Sequence, residues 1–314
     1  MPDKQAEVVC IGYAVVDIPL CPVDVRKLET ETCRVEHIRP VVGGDAINES
    51  TIIARLGHKV RMVGRLGDDM MGRFILEHCQ KNSIDTAYMT VDASSDTPIN
   101  IALVHPDGER TFVVPQGGAR QRFCLEDIDF ASFDGAKLLS LASIFVHPQL
   151  GNAQLVQIFQ QARRRGMMIC ADMVHSRFGE TLSDIREALS YVDYFFPNQE
   201  EAQRLTGKTD LDAVADALLD CGVGHVVIKT GRAGCLIKDT AQRLEVPTFS
   251  KARRVDTIGA GDNFVAGFIA ALLEGKDVYA CGRYANAVAS VSVEHIGATD
   301  GVRSRAQVED MMRP

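Results

Sequence analysis

The sequence predicts an α/β protein built on a doubly wound, mostly parallel sheet flanked by helices, with a small β lid. Three observations predict it. Short apolar runs alternate with helical patterns over most of the 314 residues, and such β-α repetition buries a parallel sheet on both faces. Two segments, about 18–40 and 97–115, break that rhythm with extended or alternating patterns, and each is too short for a core of its own. No internal repeat or low-complexity stretch interrupts the chain. It is therefore expected to form a single domain, 1–314, with the lid segments inserted within it.

The elements follow in order. Residues 8–16 read as a buried strand. A helical pattern over 46–56 ends at Gly57, and 59–64 reads as a strand. A helix is expected over 69–82. In the second excursion, Pro106-Asp107-Gly108-Glu109 is a good hairpin turn within an alternating segment, 99–114. Strands are expected near 138–146, 167–172, 191–196 and 225–229, and helices near 153–165, 199–205 and 211–220. Arg163, Arg164 and Arg165 precede Gly166, which suits a helix C-terminus favoured by the macrodipole. Ligands of such sheets bind at the carboxyl ends of the strands.

Bulk properties narrow the function. A net charge of −8 with no long basic run argues against a nucleic-acid partner. No apolar run approaches the roughly 20 residues that span a bilayer, so no membrane partner is expected. Nine cysteines occur without a C-x-x-C pair; they read as thiols in a reducing compartment. The first residues are polar and lack a signal-peptide pattern, so a soluble, cytoplasmic protein is expected.

The most informative residues are Asp256-Thr257-Ile258-Gly259-Ala260-Gly261-Asp262. They run into Phe264, Val265, Phe268, Ile269, Leu272 and Leu273, which recur at helical spacing. The first amides of that helix lack intrahelical partners, and the glycines let an anion approach them. Asp262 places a proton acceptor beside those donors. This pairing suits transfer of a phosphoryl group to an alcohol.

Other constellations carry less alone. Gly43-Gly44 before a helix bearing Asn48 suits a sugar hydroxyl, but such loops are common. Asn198 and Glu201 share one face of a helix start; they suit Mg²⁺ held partly through water, or a plain cap. Lys229 to Gly234 is a glycine-flanked turn after a strand, suited to phosphates or to a simple β-turn. No G-x-x-x-x-G-K-[ST] loop exists, and the first strand lacks a G-x-G-x-x-G turn. Asp17, His147, His175 and Arg177 follow strands and could face a pocket or solvent.

In this order the motifs resemble the PfkB/ribokinase family of carbohydrate and nucleoside kinases. The likeness runs from Gly12 and Asp17 through Gly43-Gly44 with Asn48, Arg55-Leu56-Gly57 and 63–69 with Gly72. It continues through Asn198 and Glu201 and the Lys229–Gly234 turn to 256–262. It implies a ribokinase-like fold with a β lid over the sugar site. It implies Asp262 as catalytic base and the backbone of Gly259, Ala260 and Gly261 as anion hole. Asp17, Gly43, Gly44 and Asn48 match sugar contacts. Asn198 and Glu201 match residues that organise Mg²⁺ and the phosphates. Lys229, Gly231, Gly234 and Asn286 match positions near ATP, and Asp256 matches a site for an activating monovalent cation such as K⁺. The resemblance implies an ATP-dependent sugar kinase of ribokinase or fructokinase type. A nucleoside kinase, a 2-keto-3-deoxy sugar-acid kinase using Arg177 or Arg110, and a non-catalytic sugar- or nucleotide-binding regulator stay open. For the nucleoside reading, Phe112 is a candidate contact. A homodimer through the lid strands is expected.

Overall fold

Continuous apolar runs become the central strands. The computed structural model describes residues 5–24, 32–105, 110–176 and 179–313. Its main sheet has eight strands in the order Arg243–Val246, Cys235–Lys238, His225–Lys229, Tyr194–Phe195, Met168–Met173, Leu138–Ile144, Val8–Ile11, Val60–Val63. From Val60–Val63 to His225–Lys229 every pairing is parallel; the last two strands add antiparallel. Leu138–Ile144 is buried along its whole length, as a strand covered on both faces must be.

Alternate residues of one strand enter opposite cores. Val9 and Ile11 pack with Leu155, Phe159 and Leu218 from helices Asn152–Arg164 and Leu211–Leu219. Val8 and Cys10 pack on the other face with Ile52, Ile53, Phe268 and Val288. Those come from helices Asp45–Arg55, Ala260–Leu273 and Val278–Ser292. Each fully buried side chain of this size contributes about 1.5–3 kcal/mol, so the sheet is a rigid platform for its carboxyl edge.

The lid forms as expected but begins earlier. Residues 8–16 are not one strand: the chain leaves the main sheet after Ile11 and enters the lid as Val15–Cys21. Gly12 makes this departure possible, since a Cβ there would stand 2.8 Å from the Ala46 Cβ. Val15–Cys21 pairs with His37–Ile38, Val41–Gly43 and Ile99–Val104, and the last pairs with Arg110–Val113. The expected turn at 106–109 and Arg177 lie outside the described residues, and only the strand position of Arg110 is described. A further pair, Arg65–Gly67 with Thr90–Asp92, was not expected. All nine cysteines are free thiols. Among the described residues, no helix is long and apolar enough to cross a membrane.

Candidate active site

The 256–262 turn is held from both sides. Asp256 Oδ1 accepts from the Ile258 amide at 2.8 Å and Oδ2 from the Gly297 amide at 2.9 Å. Both carboxylate oxygens of the expected cation ligand thus brace the turn. Gly259 caps the helix Ala260–Leu273 at φ 67°, a left-handed conformation that favours glycine. A Cβ there would meet the Ala298 Cβ at 2.6 Å, so the turn is pressed against the 297–298 segment. Asn263 locks the same contact: its Nδ2 donates to the carbonyls of Gly259 and Ala298, each at 2.7 Å. The Ala260 amide makes a long bond of 3.3 Å to the Thr257 carbonyl. The amides of Gly261 and Asp262 stand in the first helical turn, where no intrahelical acceptor exists.

The turn forms a wall between two cavities. One, of about 590 Å³, is lined by Thr257, Ala260 and Gly261 together with Lys229, Gly231, Gly234 and Asn286. Arg232, Arg254 and Phe249 complete much of its border. The other, of about 780 Å³, lies under the lid and is lined by Asp17, Val42, Ala102, Phe112, Asp256 and Ile258. Both volumes are typical of small-molecule sites.

Asp262 is partly accessible and accepts a 2.7 Å hydrogen bond from Asn48 Nδ2, across 214 residues of sequence. Burial and the charges of Asp45 and Asp172 push its proton affinity well above the usual carboxylate range, while Asn48 and Lys229 oppose the rise. Asn48 is buried, and its Oδ1 has no hydrogen-bond partner among the described residues. Asp17 lies against the Gly43 backbone: a Cβ on Gly43 would be 1.9 Å from Asp17 Oδ2. Its Oδ1 accepts from Asn100 Nδ2 at 2.9 Å. Burial pushes Asp17 up to about 6, with Asn100 opposing and Asp45 reinforcing the rise.

Asn198, bridged to Lys229 through the backbone, forms a reciprocal capping box with Glu201, and neither is among the residues that line the cavity of about 590 Å³. Asn198 Oδ1 accepts from the Glu201 amide at 2.9 Å, and Glu201 Oε2 accepts from the Asn198 amide at 2.8 Å. The cap reading and the charged-site reading are compatible, because Glu201 also acts electrostatically on Lys229 and Asp172. Among the described residues, no three His, Cys, Asp or Glu side chains cluster to hold a metal ion. Asn286 spends its Nδ2 on the Val246 carbonyl at 2.9 Å and on that of Pro247 at 3.4 Å, so it shapes the cavity wall. The Lys229–Gly234 turn connects two antiparallel strands, as the simple-turn reading expects, and its residues also line the cavity.

Sequence reasoning missed Asp45, Asn100 and Asp172. Asp45 opens its helix directly after Gly44 and accepts from the Ser143 hydroxyl. Asp172 sits at the carboxyl end of Met168–Met173 and accepts from Lys229 Nζ at 2.5 Å. The strand-end rule could have found it. His147 is structural: it is buried against Phe123, and burial lowers it to about 4. His175 stands 4.0 Å from Glu200 with its side chain 42% exposed.

Comparison with known proteins agrees with this fold. The model of the pfkB family carbohydrate kinases matches residues 5–305. A ribokinase of Bacillus subtilis is 28% identical over 291 residues, covering 92% of this chain and 94% of the relative. A 5-dehydro-2-deoxygluconokinase of Geobacillus kaustophilus is 26% identical over 320 residues, covering 98% and 94%. The structure of Arabidopsis thaliana ribokinase complexed with ribose and ATP superposes with a TM-score of 0.84 at 26% identity, covering 99% of both chains.

Proposed function

Because the chain belongs to the pfkB family of carbohydrate kinases, we propose that it transfers the γ-phosphoryl group of ATP to a hydroxyl of a small sugar. One observation carries this reading: the Asn48–Asp262 hydrogen bond, made next to the amide-rich turn whose residues line both cavities. ATP occupies the cavity of Lys229, Gly231 and Gly234, with its terminal phosphate at the helix N-terminus. The sugar lies under the lid against Asp17, Gly43, Gly44 and Asn48, and the orphaned Asn48 Oδ1 accepts one of its hydroxyls.

Asp262 takes the proton as the sugar oxygen attacks the γ-phosphorus. The first-turn amides hold the charge of the equatorial oxygens, and lid closure excludes water. Mg²⁺ bound with ATP would neutralise phosphate charge, and Asn198 and Glu201 are the residues that would hold it, partly through water. The single domain with inserted lid segments is supported by lid strands that leave and re-enter the main chain path at both segments. Exposed Ile38, Phe112 and Val113 on the lid support a homodimer.

The test is coupled ADP release over neutral sugars, sugar acids and nucleosides. Turnover confined to neutral sugars is the expected result; ADP release only with sugar acids or nucleosides would replace the sugar, and binding without ADP release would replace the reaction. In the same assay Asn48→Ala should raise the sugar KM by about 3–10-fold, the worth of one hydrogen bond. It should also lower kcat, since Asp262 loses the donor that orients it. An effect on the ATP KM alone would contradict the placement of Asn48.

A further inference from the structure

Lys229 is the last residue of its strand, and its side chain is only 13% exposed. A Cβ built on Gly261 would stand 3.3 Å from the Lys229 Nζ, closer to it than to any other group outside the turn. The ammonium therefore lies beside the amide-rich turn, on the side of the ATP-sized cavity that Thr257, Ala260 and Gly261 also line. It donates a hydrogen bond to Asp172 Oδ2 at 2.5 Å, from the strand two places away in the sheet. The strand between them, Tyr194–Phe195, is only two residues long, which leaves the path across its end open. Burial lowers the proton affinity of the amine; Asp172, Glu201 and Asp262 outweigh burial and raise it.

A buried ion pair of this kind is a costly way to stabilise a fold, since an apolar pair of the same volume usually serves as well. Its location gives it another use. We propose that Lys229 is a catalytic residue that carries the charge of the phosphoryl group in flight, and that Asp172 is the positioning residue that aims it. This rests on the kinase reading above. The acceptor oxygen forms a bond to the γ-phosphorus while the bond from that phosphorus to the β,γ-bridging oxygen breaks. The electron pair of the broken bond leaves with ADP, and the acceptor proton passes to Asp262. Lys229 donates a hydrogen bond to a non-bridging oxygen throughout and gives up no proton. It faces the first-turn amides across that group, so the charge is held from two sides in a site closed to water.

The alternative is that Lys229 only neutralises Asp172, and paired variants separate the two. Lys229→Met alone leaves a buried carboxylate unpaired and can fail to fold for that reason. The double variant Lys229→Met/Asp172→Asn removes both charges and keeps the question answerable. With an acceptor that gives ADP release from the wild-type protein, the double variant should lose about 10²–10³-fold in kcat, the usual cost of one transition-state donor. Its KM for Mg·ATP should change much less, and its acceptor KM should stay unchanged. Lys229→Arg should recover a measurable part of kcat, and Asp172→Asn alone should lower kcat less than the double variant does. A double variant that turns over at nearly the wild-type rate would overturn the role of Lys229, as would a raised Mg·ATP KM with kcat intact. Absence of ADP release from the wild-type protein with every acceptor would instead overturn the kinase reading beneath it.

Discussion

Asp262→Asn should lower kcat by about 10²–10⁴-fold, the span for losing a general base. The change is nearly isosteric, and the new amide oxygen can still accept from Asn48, which now bonds Asp262 at 2.7 Å. The fold and both KM values should therefore persist, and the loss should fall on turnover. The pH profile of the wild-type protein gives a second reading of the same residue. Asp262 works deprotonated, and burial with Asp45 and Asp172 raises its proton affinity well above the usual range. Activity is thus present above that raised value and lost as pH falls through it, so the acid limb should lie above the ordinary carboxylate range. The limb should vanish from the residual activity of the Asn variant. Near-normal turnover in that variant would remove Asp262 from the chemistry.

Gly43→Ala should raise the acceptor KM more than about tenfold, the equivalent of one strong polar contact to a charged group. The reason is steric. Gly43 lies in a lid strand and has no positive φ, so its backbone tolerates alanine. The new methyl would stand 1.9 Å from Asp17 Oδ2, and the carboxylate must move. Asp17 is tethered to Asn100 and faces the cavity under the lid, so its displacement spoils that cavity only. Overpacking of this sort costs about 1–3 kcal/mol of stability, which a melting curve would register. The ATP KM should not change. An unaltered acceptor KM would show that Asp17 does not hold the acceptor.

Much of this was legible in the sequence where burial writes a clear pattern. The strands near 138–146 and 225–229 are continuous apolar runs because helices cover both faces, and they appear as Leu138–Ile144 and His225–Lys229. The helix after the glycine turn was equally plain. The first strand was misjudged because the apolar run continues through the point where the chain changes sheets at Gly12. Helix Val278–Ser292 was invisible for the opposite reason: small and polar residues, among them Cys281, Gly282, Ala285, Asn286 and Ala287, interrupt Tyr284, Val288 and Val291 on its buried face. Those small residues admit the neighbouring helix so closely that a Cβ on Gly267 would stand 3.0 Å from the Ala285 Cα.

The site divides in the same way. Asp262, Asn48 and the glycine turn carry local spacing that points to their chemistry. Asp172 and Lys229 are 57 residues apart and meet only because their strands flank a very short third one. Asp45 carries no motif of its own, and its charge acts on Asp17 and Asp262 only because the fold brings the three together.

The most direct measurement is a crystal structure with Mg²⁺ and a non-hydrolysable ATP analogue. Its terminal phosphate should lie within hydrogen-bond distance of the Gly261 amide, on the far side of the turn from Asp17 and with Asp262 facing the gap between them. A triphosphate seated elsewhere, with Asp262 turned away from its end, would contradict the account.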